Sequence, residues 1–142
     1  MSEAERIAFL AEEQTVVVAT FGPRGRPHLM PLWYVPRDGE IWVSTYAKSQ
    51  KVKNLERDPR ATLMVEGGEA YDELRGVMVE VEAEIHRDFD TVLALVRDLQ
   101  VRHAGTLDTS PEREAEREAQ ARRRVAIRFA PVHTVSWDHR KL

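Results

Sequence analysis

The chain has 142 residues, of which 42% are hydrophobic and 32% charged; that is enough for one core and too little for two enzymatic domains, so residues 1–142 are expected to form a single domain. Its 21 basic and 24 acidic residues leave a formal charge of −3, which excludes a global field for wrapping nucleic acid and leaves only local patches for binding anions. The absence of cysteine excludes disulfides, thiolate metal sites, iron–sulfur clusters and thiol nucleophiles, and the absence of a long apolar run or a basic-then-apolar start points to a soluble cytoplasmic protein with no membrane segment.

In chain order, Ser2 followed by Glu5 predicts a capped helix start, with Ile7, Leu10 and Ala11 on one helical face. The β-branched run 15–21 reads as a strand. Gly22-Pro23-Arg24-Gly25 supplies a turn, and 26–35 reads as a second strand. Leu29, Trp33 and Val35 alternate there with His28, Met30, Leu32 and Tyr34. Pro27 and Pro31 cannot donate ladder hydrogen bonds, which puts this strand at an edge or at a bulge. Asp38-Gly39 predicts a tight hairpin into the strand 40–46, with Ile41, Val43 and Thr45 on one face. Residues 48–57 have helical spacing, ended by Asp58-Pro59. A short strand at 61–65 follows, and 76–87 alternates cleanly, with Val77, Val79, Val81, Ala83 and Ile85 inward. Residues 89–103 are helical in pattern, and Ser110-Pro111 opens another helix. Residues 125–129 form a late strand that 132–137 extends. About six antiparallel strands of this length close into a barrel to remove their edges, so the expected class is mainly β (α+β) with a few peripheral helices.

The basic residues comprise 17 Arg and only four Lys, and three of the four (Lys48, Lys51, Lys53) fall within six positions. They sit where a strand end (Ser44, Thr45) meets a helix start (Ser49), and unpaired N–H groups at a helix start attract anions. This segment is expected to bind a phosphate, against the plainer reading of a solvated helix face; Gly-x-x-x-x-Gly-Lys is absent, which excludes a P-loop. The stretch 27–34 offers prolines and aromatics as a flat wall for a planar ring, although Trp33 and Tyr34 equally fit core and rim. The five histidines show no ligand spacing, so no metal site is expected. Arg122-Arg123-Arg124 reads as a solvated strand entry or subunit rim. The tail from Trp137 is too aromatic for a free end and suggests docking, with a partner subunit as one possibility.

The Thr-Val-Val-Val-Ala-Thr strand, the Pro-Leu-Trp-Tyr strand, the Lys-Ser-x-Lys-x-x-Asn-Leu-x-x-Asp-Pro-Arg helix and the terminal Ser-x-Trp-x-His-x-Lys-Leu together resemble the pyridoxamine-phosphate-oxidase-like split β-barrel flavoproteins. Within that superfamily the chain is most similar to the class B deazaflavin (coenzyme F420) dependent oxidoreductases. The resemblance implies a six-stranded antiparallel split β-barrel of the FMN-binding type and a homodimer with cofactor sites at the subunit interface. It implies that 29–34, including Met30, Pro31, Leu32, Trp33 and Tyr34, back the ring system, and that Val43, Ser44 and Thr45 line the ribityl chain. Lys48, Ser49, Lys51, Lys53 and Asn54 would bind the phosphate, and Trp137 would arrive from the other subunit. Gln50 stands where the oxidases carry an arginine, which removes one guanidinium and speaks against pyridoxal-phosphate synthesis.

The implied activity is hydride transfer from reduced F420 to a planar or conjugated small molecule. FMN is the alternative cofactor, and a non-catalytic flavin or haem carrier the alternative role. Three lysines plus Arg57 and Arg60 exceed the needs of one phosphate and favour the longer anionic tail of F420. No residue stands out as the proton donor; His28 and Tyr34 are the candidates.

Overall fold

The computed structural model describes residues 1–142. Helix α1, Glu3–Glu12, starts at Ser2, whose Oγ accepts from the Glu5 N–H at 3.1 Å. The reciprocal half of the expected capping box is absent, because the Glu5 carboxylate takes Lys141 Nζ at 2.6 Å instead. Phe9 and Leu10 are its buried residues, whereas Ile7 is exposed.

Strands β1 (Thr15–Phe21), β2 (Pro27–Trp33), β3 (Val35–Arg37) and β4 (Glu40–Tyr46) follow, then helix α2 (Gln50–Arg57) and strands β5 (Arg60–Gly67) and β6 (Arg75–His86). Helices α3 (Phe89–Ala104) and α4 (Pro111–Arg122) form a hairpin before the long β7 (Arg124–Asp138). All neighbours are antiparallel in the order β2-β1-β5-β6-β7-β4-β3. The outermost strands of this sheet, β2 and β3, are consecutive in the chain and separated only by Tyr34. The strand expected at 26–35 is therefore broken in two, and the curled sheet counts seven strands rather than six.

Tyr34 makes the break. It is fully buried, its hydroxyl donates to the Leu10 carbonyl at 2.6 Å, and its N–H reaches the Gln14 carbonyl. The β3–β4 turn has Asp38 and Gly39 both at positive φ, 53° and 78°, as a two-residue hairpin requires. In β7 the register with β6 jumps from Glu80↔His133 to Val81↔Pro131, leaving Val132 as the extra, bulged residue.

The barrel interior is filled by alternate residues of the strands, among them Val16, Val18, Val43, Leu63, Val77, Val79, Ile127 and Phe129, and is plugged by α1 and by Val52 and Leu55 of α2. A second cluster lies outside the barrel wall, where Val92, Leu93, Leu95 and Val96 of α3 and Ala121 of α4 pack on Val35 and Ala126. The α3–α4 hairpin thus covers the outer face on the β3, β4 and β7 side. No helix covers the outer face of β1, β5 and β6 or the Pro27–Leu29 part of β2, whereas Trp33 at the end of β2 lies under α3. No helix is long and apolar enough to cross a membrane.

Candidate functional site

Between the barrel wall and the helical hairpin lies a cavity of about 520 Å³. Its wall side is Pro31, Leu32 and Trp33 of β2, Ser44 of β4 and Arg124 of β7; its helix side includes Val96, Leu99, Gln100 and His103 of α3 and Gln120 of α4. Strand alternation decides which β4 residues face it. Ile41, Val43 and Thr45 point into the barrel, so Ser44 points out into the cavity.

Two wall atoms lack partners, and an unpaired lysine lies next to one of them. Ser44 Oγ and Arg124 Nε are buried without a hydrogen bond. The Arg124 guanidinium donates through NH1 to the Ser44 carbonyl at 3.3 Å and lies 4.4 Å from the centre of the Tyr46 ring. Lys51 is 8% exposed and forms no ion pair with any carboxylate. Burial pushes its ammonium below the ordinary lysine range, and the neighbouring Arg124 pushes it further the same way. Two cations held together in a partly dry place with no acid beside them repel each other, and an anion placed between them would relieve that cost.

The phosphate segment is divided by this geometry. Ser49 is the α2 N-cap, with its Oγ accepting from the Val52 N–H at 3.4 Å. Lys51 turns inward, whereas Lys48, Gln50 and Lys53 are exposed. Asn54 is wholly buried and its amide is engaged within the protein: Nδ2 donates to Thr20 Oγ1 at 3.0 Å, and Oδ1 accepts from Gln50 and Arg57. It pins α2 to β1.

Two of the expected ring and ribityl contacts are corrected. Tyr34 and Val43 are both core residues at 0% exposure; the strand break sends Tyr34 inward, and strand alternation does the same to Val43. Desolvation raises the Tyr34 phenol well above its ordinary pKa, and its hydroxyl is taken by the Leu10 carbonyl, away from the cavity. Thr45 is also buried on the inner face, and Met30 is partly exposed but does not line the cavity. The cationic surplus read from Arg57 and Arg60 is spent elsewhere. Arg57 donates to the Phe21 carbonyl at 2.7 Å, and Arg60 forms a fork with Asp58 over the Phe21 ring.

The family model described as pyridoxamine 5′-phosphate oxidase matches residues 2–138. The chain belongs to that family. Its structure is similar to that of the conserved hypothetical protein Rv2991 from Mycobacterium tuberculosis, with 42% identity, a TM-score of 0.91, and 99% of this chain and 87% of the other covered. It shares its fold with a protein named as an F420 reductase (23% identity, TM-score 0.68, 90% and 94% covered) and with the haem storage protein HutZ from Vibrio cholerae (19% identity, TM-score 0.70, 94% and 92% covered). A search of curated proteins gives no match.

Within this family member, sequence reasoning missed Arg124, His103, Gln100 and Gln120. Arg124 was visible only as part of a basic triplet. Its place follows from the β4–β7 pairing, in which it stands opposite Tyr46. His103 stacks on Trp33 with ring centroids 4.0 Å apart and planes 12° apart. Both its ring nitrogens are buried without partners, and desolvation first, then Arg102, lowers its pKa below the ordinary histidine value. His28 lines no part of the cavity. Trp137 packs within its own chain, over Gly76, where a Cβ would lie 2.0 Å from Trp137 Cζ2. The tail beyond it also docks at home: the His139 N–H bonds the Leu74 carbonyl at 2.8 Å and its ring lies 4.6 Å from Tyr71.

Proposed function

We propose that the protein is an oxidoreductase that holds coenzyme F420 against β2 and β4 and reduces a planar or conjugated small-molecule acceptor. The observation that carries this reading is the pair Arg124 and Ser44 at the wall of a largely apolar cavity, with the buried, unpaired Lys51 next to Arg124 behind it. A buried donor without an acceptor is costly, and an ion without a counter-ion more so. A ligand with an anionic end and a flat apolar body satisfies both the donors and the wall. The residues present therefore fit a flavin-like coenzyme: Lys51, Arg124 and Ser44 would take its phosphate, with Ser49 at the head of α2 beside them, and Pro31, Leu32 and Trp33 would back its ring.

When bound in reduced form, such a coenzyme supplies a hydride. The chain contributes placement and electrostatics. Lys51 and Arg124 fix the anionic end, the Pro31–Trp33 wall restricts the ring to one plane, and α3 and α4 limit water above it. FMN is the alternative, because it too ends in a phosphate. The resemblance favours F420, and so do Lys48 and Lys53: exposed and without acidic partners, they can attract a tail bearing several carboxylates. A carrier role has one observation in its favour, the free nitrogens of His103, which could ligate a haem iron.

A second copy of the chain is part of the proposal. Across the bare outer face the strand registers line up Val17, Met64, Met78 and Val135 in one apolar row, and Leu29 beside it is 61% exposed. A row this continuous fits a self-complementary two-fold contact.

The test is a set of parallel titrations with F420, FMN and haemin. Quenching of F420 fluorescence at the lowest concentration supports the reading. Preferential FMN binding moves it to the alternative cofactor, tight haemin binding alone moves it to a carrier, and no binding of any of them refutes it.

A further inference from the structure

We propose that His103 is the acceptor-binding residue of this cavity, donating a hydrogen bond from its imidazole N–H to a conjugated oxygen of a planar acceptor that lies over the coenzyme ring. The inference rests on the reading above that the cavity receives such an acceptor, and it assigns a role to a part of the site that the coenzyme grip does not use.

The cavity has two chemically different sides. The barrel wall carries the cation Arg124, with Lys51 next to it, suited to an anion. The helical side presents uncharged groups: the amides of Gln100 and Gln120 and the imidazole of His103. Of these, Gln100 already gives its Oε1 to Arg117 at 3.0 Å. His103 gives nothing, and both its nitrogens are shut away from water with no partner. A buried polar group without a partner is costly, and His103, unlike His28 and His86, lines a cavity from which a partner can reach it.

The position of His103 is also fixed. The adjacent Arg102 ties the last turn of α3 to the end of α1, bonding the carbonyls of Leu10 at 3.1 Å, Ala11 at 3.2 Å and Glu13. Gly105, at φ 78°, then ends the helix in the left-handed conformation that glycine adopts without strain. The imidazole is held nearly parallel to the Trp33 indole at stacking distance. A flat molecule in the cavity meets the imidazole at its edge, where the one N–H of the neutral ring gains an acceptor. Desolvation keeps the ring neutral, so it polarises the acceptor oxygen as a hydrogen-bond donor without giving up its proton.

The experiment uses menadione, a planar quinone, as the probe, with His103→Phe to keep the stack but remove the nitrogens and His103→Gln to keep a donor. In coenzyme-loaded protein, His103→Phe is expected to raise the KM for menadione about tenfold, the value of one ordinary hydrogen bond, with coenzyme affinity within about twofold of the parent. His103→Gln is expected to recover most of the loss. An unchanged KM in His103→Phe overturns the proposal. A second readout needs no turnover. With imidazole 15N labelling of the coenzyme-free protein, menadione is expected to shift the signal that His103→Phe deletes; a static signal at saturating menadione overturns the proposal. Should the wild-type protein bind neither F420 nor FMN, the coenzyme reading falls on its own, and the imidazole signal still decides the role of His103.

Discussion

The barrel has two outer faces, and they are incomplete in different ways. Under the α3–α4 hairpin the apolar surface is covered, but polar atoms of Ser44, Arg124 and His103 are left without hydrogen bonds. On the bare side, apolar side chains of β1, β5, β6 and β7 face outward in a row. Missing hydrogen bonds call for a small polar ligand, because only a close, well-placed acceptor satisfies a buried donor. Missing burial calls for a broad apolar surface, because the hydrophobic effect scales with area and has no direction. The same sheet thus presents a cavity suited to a small polar ligand on one flank and a surface suited to a broad apolar partner on the other.

The comparison breaks most visibly if the bare face is charged. Met64→Glu combined with Val135→Glu buries two carboxylates per subunit in the proposed contact, and is expected to weaken dimerisation by about 4 kcal/mol. Sedimentation equilibrium should then find monomer, while the thermal melt of the monomer changes little because both side chains are already partly exposed. A wild-type protein that is monomeric at high concentration removes the bare-face half of the comparison.

On the covered flank, Lys51→Ala is expected to cost about 2 kcal/mol of coenzyme affinity, the worth of one charge-assisted hydrogen bond, as read by fluorescence titration. Tyr34→Phe sharpens the boundary between core and site. It removes one of the two hydrogen bonds to the Leu10 carbonyl, leaving that from Arg102, and should lower unfolding free energy by about 1 kcal/mol, with coenzyme affinity unaltered; a loss of affinity at equal stability would return Tyr34 to the site. Lys53→Ala is the smallest of the affinity effects, below about 0.5 kcal/mol, because an exposed lysine interacts through water.

A pH series distinguishes the two lysines further. The Lys51 pKa in the folded protein lies below its unfolded value, because burial and Arg124 disfavour the charge. Between those two values the unfolded chain binds more protons, so folding stability gains from Lys51 as pH rises through that alkaline window. Anion affinity runs the opposite way and falls as Lys51 loses its proton. The decline should begin below the ordinary lysine pKa in the wild type and be absent from Lys51→Ala when affinity is measured across the same pH range.

Much of the fold was legible because it is written locally. The Ser2, Ser49 and Ser110 caps, the Asp38-Gly39 turn and the alternation of β6 each depend on residues a few positions apart. The break at Tyr34 was not, since alternation carries straight through it and only the Leu10 carbonyl, 24 residues away, draws the phenol inward. The site was half legible for the same reason. Pro31, Leu32, Trp33, Ser44 and Lys51 announce themselves by composition near one strand–helix junction. Arg124 and His103 join them only through the pairing of β4 with β7 and the packing of α3 on the barrel, contacts that no short window contains. The lysine cluster shows the limit of counting charges: its members lie within six positions, yet only Lys51 turns toward Arg124.

A crystal structure of the protein with F420 bound tests the central claim most directly. The account predicts the phosphate within hydrogen-bond distance of Lys51 Nζ and the Arg124 guanidinium, with the ring against Pro31–Trp33. A coenzyme bound with that pair of cations still unpaired would contradict it.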